Sequence, residues 1–207
     1  MSNYHPEVGI NIPITDPSTT LLFADTHFDH ANIIKYCGRP FASIFTMNEE
    51  ILRQYQLAVP AHGATVIFLG DMAFGRGSRP PRYWLQALTS LRDVSFYYIK
   101  GSHDHDVHPT SHLPSGVVVC DGAYFSWGRY GFIATHVPTS QHIAAVRPGW
   151  WNIHGHTHSR NFVCPDKRAV CVGVEAIDYR PVSLQQVIDV VDAVENCYGS
   201  VSLQRVV

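Results

Sequence analysis

The chain is short of several things, and each shortage excludes a class of protein. It contains no run of about 18 apolar residues, so no transmembrane helix and no membrane partner is expected. Positive charge is scarce: 15 Lys and Arg stand against 17 Asp and Glu, giving a formal net charge of −2 and a pI near 6.7. A protein that grips long duplex nucleic acid needs a broad basic face, so that partner is excluded, whereas small phosphorylated ligands fit. The five cysteines, Cys37, Cys120, Cys164, Cys171 and Cys197, are odd in number and never spaced CxxC, which argues against a disulfide framework or a zinc ribbon. The opening "MSNYHPEVGINIPITDPSTT" lacks the basic and apolar regions of a secretion signal. Together these point to a soluble protein of the reducing cytoplasm. Neither an internal repeat nor a low-complexity linker occurs.

With 207 residues, 45% of them hydrophobic, the chain can bury one sizeable core. The expectation is a single domain over residues 19–207, preceded by a loosely tied arm at 1–18. Short β-branched or aromatic runs bounded by turn residues read as strands at 19–24, 65–69, 94–99, 116–120, 123–127, 131–135, 150–154 and 169–174. Helical periodicity appears at 47–59, at 81–91 with Pro81 in the first turn, and at 183–196 with Ser183 as cap. Strands and helices alternate early, and strands dominate later. That order predicts an α/β fold, two sheets packed in an αββα sandwich.

Histidine is abundant, with 13 in the chain, and its placement carries the chemistry. Five polar clusters each follow an apolar run: "ADTHFDH" (24–30), "LGD" (69–71), "KGSHD" (100–104), "THVP" (135–138) and "HGHTH" (154–158). Ligands of layered α/β folds bind beyond the carboxyl ends of strands, so the clusters can converge on one site at those ends. Asp25 and His27 are two apart, as are His156 and His158; in extended backbone each pair points to one side and can grip one ion. Carboxylate with imidazole suits Mn, Fe, Zn or Co. Asp71, a lone carboxylate after Gly70, is the natural bridge between two cations.

The blocks Asp25-Thr-His27, Gly70-Asp71, Gly101-Ser102-His103-Asp104, His136 and Gly155-His156-Thr157-His158 resemble the pattern of the calcineurin-like metallophosphoesterase superfamily. The longer stretches "DTHFDHANIIKYCGRPF", "HGHTHS" and "VGVEAIDYRPVSLQQV" are similar to its small, single-domain bacterial and phage phosphoesterases. Met-Ala-Phe-Gly after Asp71 departs from the protein-phosphatase pattern. The resemblance implies two divalent metal ions, Mn²⁺ first, with Fe, Zn, Co or Ni as alternatives. Asp25, His27 and His158 would hold one, and His136, His156 and the residue at 102 the other, with Asp71 bridging. A hydroxide shared by the ions would attack phosphorus, His103 would serve the transition state or leaving group as a catalytic residue, and Asp104 would orient His103.

The family places Asn where this chain has Ser102, and a neutral alcohol is a poorer ligand than an amide oxygen. A working enzyme with a relaxed second site, an introduced substitution and a binding-only descendant are all compatible with it. His30, Arg39 and Arg76 are the candidates for substrate contact, His30 also as a helix start capped by Asp29, and His154 is read as packing behind the site. The expected reaction is hydrolysis of a phosphodiester on a nucleotide-type or short oligonucleotide substrate. A nucleotide phosphomonoesterase and a non-catalytic metal- or phosphate-binding module are the alternatives.

Overall fold

The computed structural model describes residues 9–74, 79–105, 107, 113–139 and 147–203. Among these described residues eleven strands and four α-helices follow in the order β1 (Ile10–Asn11), β2 (Thr20–Phe23), α1 (Ala31–Tyr36), α2 (Ile44–Ala58), β3 (Ala64–Phe68), α3 (Pro81–Ser90), β4 (Val94–Ile99), β5 (Val117–Cys120), β6 (Ala123–Trp127), β7 (Tyr130–Thr135), β8 (Trp151–His154), β9 (Val163–Cys164), β10 (Ala169–Cys171), β11 (Val182–Ser183) and α4 (Leu184–Leu203). They build a five-stranded sheet, β11-β2-β3-β4-β5, and a six-stranded sheet, β1-β6-β7-β8-β10-β9. Parallel pairing dominates both; only β11 with β2, β6 with β7, and β9 with β10 run antiparallel.

Strands such as β2 are buried on both faces, which is why they read as unbroken apolar runs rather than alternating ones. One face of the five-stranded sheet, carrying Leu21, Phe23, Val66, Phe68, Phe96 and Tyr98, packs against α1, α2 and α3 through Ile33, Met47, Ile51, Tyr55, Trp84, Leu85 and Leu88. The other face, with Leu22, Ile67, Leu69 and Ile99, shares a second core with Phe125, Phe132, Trp151 and Ile153 of the six-stranded sheet, and α4 adds Leu184, Val187 and Val191. Among the described residues no helix is long and apolar enough to cross a membrane.

Local chemistry sets the helix starts. α2 begins before the expected Met47 because Ser43 and Thr46 form a reciprocal capping box, each side-chain oxygen accepting from the other's backbone N–H at 3.2 Å. Ser183 caps α4 as expected, accepting from Gln186 N at 3.1 Å, while Gln186 Oε1 accepts from Ser183 N at 2.9 Å. Residues 9–18 are not a loose arm. β1 pairs in parallel with β6, Ile12 is buried, and Pro17 accepts from Gln185 N at 3.0 Å.

Candidate metal centre

The five clusters lie past the carboxyl ends of β2, β3, β4, β7 and β8, and hydrogen bonds sew their loops together. Asp25 N donates to Gly70 O (2.9 Å), His27 N to Asp71 O (3.1 Å), Phe28 N to Met72 O (2.8 Å) and Gly155 N to His136 O (3.0 Å). Close approach demands small residues at the joints. A Cβ on Gly155 would fall 2.6 Å from Asp25 Oδ2, and one on Gly70, itself at φ +87°, would fall 2.8 Å from His136 Nδ1.

The paired residues do not sit in extended backbone. Asp25, His27, Asp71, His156 and His158 all have positive φ, between 47° and 68°, a region uncommon for side-chain-bearing residues, in which Asn, Asp and His are enriched. Each loop therefore turns sharply, and convergence comes from left-handed turns rather than from strand alternation.

Two of the three donor groups found among the described residues lie within these clusters: Asp25, His27 and His158 in one, Asp71, His136 and His156 in the other, with the donor atoms of each within 4.8 Å of one another. Asp71 stands between them. Its Oδ2 lies 3.3 Å from His136 Nε2 and 3.7 Å from His27 Nε2. Ser102 is exposed and its Oγ donates to Asp71 Oδ2 at 3.2 Å, while His103 N donates to Oδ1 at 2.9 Å. The His103 ring, 36% exposed, approaches Asp71 Oδ2 only to 3.8 Å and belongs to neither donor group.

Burial and neighbouring charge set the proton affinities. Desolvation pushes Asp25 up to about 7, against the pull of His136 and His158. Burial would also raise Asp71, but His136, the His103 N–H and His27 outweigh it and hold its carboxyl below the usual range. Burial disfavours charge on His136 too, yet Asp71, Asp25 and the Leu69 carbonyl lift it to about 9. His27 goes the other way: desolvation, only partly opposed by Asp71, depresses it to about 3. Both His27 ring nitrogens and Asp25 Oδ1 are buried without a hydrogen-bond partner. Buried polar atoms are rarely orphaned, and carboxylate with neutral imidazole is the donor chemistry of a divalent first-row cation. The residues present fit such ions.

Three expectations change. Arg39 does not face the site: its buried guanidinium donates to the carbonyls of Asp25 and Thr26 (both 2.8 Å) and pairs with Glu175 at 2.7 Å, so no donor remains for substrate. Asp104 does not orient His103. Its buried carboxylate accepts from the backbone N–H groups of Asp71 (2.7 Å), Gly101 (2.8 Å) and Met72 (3.1 Å) and so fixes the loop that carries Asp71; burial, the larger effect, still raises its pKa. Asp29 does not cap α1. It binds Asn48 and Arg79, both at 2.8 Å or less, and no side chain caps that helix.

His30 is half-buried, its ring between Phe74 (5.0 Å) and His27 (5.5 Å). His154 is buried with Nδ1 2.8 Å from Gly155 O, as packing requires. Arg76 lies outside the described residues. The residue that sequence reasoning missed is Glu175, whose Oε1 lies 3.0 Å from His158 Nδ1; it lies within the stretch "VGVEAIDYRPVSLQQV", but no spacing links it to His158.

Fold and donor set together define an α/β protein of two largely parallel sheets with two carboxylate–imidazole groups beyond its strand ends. No family model matches the chain. The uncharacterized protein MJ1445 of Methanocaldococcus jannaschii is 31% identical over 176 residues, covering 83% of this chain and 90% of that protein, and the chain belongs to its family. The crystal structure of AQ665, a protein of unknown function from Aquifex aeolicus, aligns with a TM-score of 0.64 at 22% identity over 83% of this chain and 98% of that one. The two share a fold.

Proposed function

We propose that the chain is a dinuclear metal-dependent phosphoesterase of calcineurin-like type, acting on a phosphodiester of nucleotide or short-oligonucleotide kind. The observation that carries the reading is the pair of three-donor groups joined at Asp71, with buried donor atoms that no protein group satisfies. Asp25, His27 and His158 would hold one divalent ion, His136, His156 and Ser102 the other, and Asp71 would bridge, with Mn²⁺ the first choice. Such ions, when bound, supply Lewis acidity to phosphoryl oxygens and an acidified water as nucleophile.

The chain's own residues supply the rest. Asp71, fixed by the His103 N–H and by the loop that Asp104 holds, sets the spacing of the two halves. His103, outside both donor groups and open to solvent, would protonate a departing oxygen, a role worth about 100- to 10,000-fold. Phe74, 42% exposed with its ring 4.1 Å from that of His103, offers flat apolar surface next to that residue, and Tyr36, 75% exposed, lies beside His30. Aromatic faces of this kind suit a planar leaving group such as a nucleobase-bearing one.

The test is hydrolysis of an aryl phosphodiester in excess Mn²⁺, with Asp71→Ala as the blank and the matching monoester alongside. Turnover of the diester above that blank is expected. Turnover of the monoester alone moves the reading to a phosphomonoesterase, and turnover of neither, with Mn²⁺ bound, moves it to a binding module.

A further inference from the structure

We propose that Glu175, held in place by Arg39, is a positioning residue that aims His158 at the cation shared with Asp25 and His27. The inference rests on the two-ion reading above. The Glu175 side chain is 1% exposed and that of Arg39 is fully buried, so neither can meet a substrate. Glu175 Oε1 takes Arg39 Nη2 at 2.7 Å, Arg39 Nε at 2.9 Å and His158 Nδ1 at 3.0 Å. A histidine that donates Nδ1–H to a carboxylate is left with Nε2 as its lone-pair nitrogen, which fixes both tautomer and ring orientation and raises ligand basicity.

The same guanidinium donates to the carbonyls of Asp25 and Thr26. One buried ion pair therefore ties the support of His158 to the peptides that carry Asp25 and lead to His27. The strand end makes the connection tighter, because Val174 N donates to Ala24 O at 3.1 Å.

Among the described residues the other donor group has no such carboxylate behind its histidines. His136 Nδ1 faces the Leu69 carbonyl at 2.7 Å, and His156 Nδ1 lies 3.2 Å from His136 Nε2. Cys37 joins His158 and Glu175 in a third set of donors; Glu175 Oε1 is taken by Arg39 and His158 while Oε2 has no hydrogen-bond partner, and the buried guanidinium charge beside it opposes a cation there. Support of His158, rather than a third ion, is the use these contacts allow.

The two halves should therefore respond differently when Glu175 is changed. Mn²⁺ binding to the full chain is measured by titration calorimetry for the natural sequence, for Glu175→Gln, and for Glu175→Gln with Arg39→Met, which removes both buried charges together at the cost of the donors to the Asp25 and Thr26 carbonyls. Far-UV circular dichroism reports folding. In both variants one of the two binding steps should weaken about 10- to 100-fold while the other stays within about twofold, an asymmetry that a merely structural role would not give. Two unchanged steps would overturn the assignment, and so would two steps weakened alike in the folded double variant. If the natural sequence itself shows no two-step binding, the two-ion reading fails and the inference goes with it, an outcome distinct from the other two.

Discussion

Asp104 offers a sharp test, because sequence and structure give it different jobs. It is buried, and its carboxylate is the acceptor for three backbone N–H groups, those of Asp71, Gly101 and Met72. Asp104→Ala leaves three donors without that partner, each costing about 1–3 kcal/mol when buried and unsatisfied. Water entering the vacated space recovers part of this, so a loss of about 3–6 kcal/mol is expected. A domain of this size commonly has about 5–15 kcal/mol in total and moves about 2–4 °C in Tm per kcal/mol, so the fall should be about 6–24 °C. Asp104→Asn should be intermediate, since one carbonyl oxygen can still serve Asp71 N and Gly101 N while its amide meets Met72 N–H. Urea unfolding followed by circular dichroism is the assay, read as a shift in midpoint at constant slope. A loss below about 1 kcal/mol, accompanied by a large fall in turnover, would refute the backbone role and restore Asp104 as the partner of His103.

Three further outcomes are expected. Ser102→Asn should raise diester turnover in Mn²⁺ about tenfold, equivalent to about 1.4 kcal/mol, because a longer amide carbonyl replaces a hydroxyl; equal rates would make Ser102 an adequate ligand. His103→Gln should lower kcat about 100- to 10,000-fold and leave both Mn²⁺ binding steps in place; loss of a step would make it a ligand instead. Mn²⁺ affinity should rise from pH 6 to pH 8, because Asp25, raised to about 7, and His136, raised to about 9, hold protons that a cation must displace. Each proton displaced contributes up to about tenfold per pH unit, whereas His27, depressed to about 3, contributes none. Calorimetry in two buffers of different ionisation heat would count the protons, and a count of zero would contradict these assignments.

Much of this arrangement is legible in the sequence for a simple reason. Strands of a parallel sheet buried on both faces, such as β2 and β3, are continuous apolar runs, and the polar clusters stand out against them. What the pattern cannot carry is pairing between distant residues. Arg39 and Glu175 are 136 positions apart, and no periodicity links them, so Arg39 read as a free guanidinium aimed at phosphate. The same holds for Asp104, whose adjacency to His103 suggested a partnership while its actual partners include Asp71 and Met72 in another loop. β1 escaped notice because two residues before a proline carry too little signal.

The left-handed residues are where local preference and the built structure part company, and the discrepancy points inward. If the loops after β2, β3 and β8 needed only to turn, Gly or Asn would serve at positions 25, 27, 71, 156 and 158 at little cost. Aspartate and histidine stand there instead, residue types that enter this region more readily than most but still at some local strain. The loop-to-loop hydrogen bonds from Asp25 N, His27 N, His156 N and Gly155 N offset that strain by locking each turn against its neighbour. Burial adds a second cost, since Asp25 and Asp71 bring two carboxylates within reach of one His136 ring. Positive φ also occurs at Asp29, Arg168, Asp178 and Tyr179, but five of the nine non-glycine residues that adopt it among the described residues belong to the two donor groups. Left-handed turns are thus how three of the loops bring their donors together.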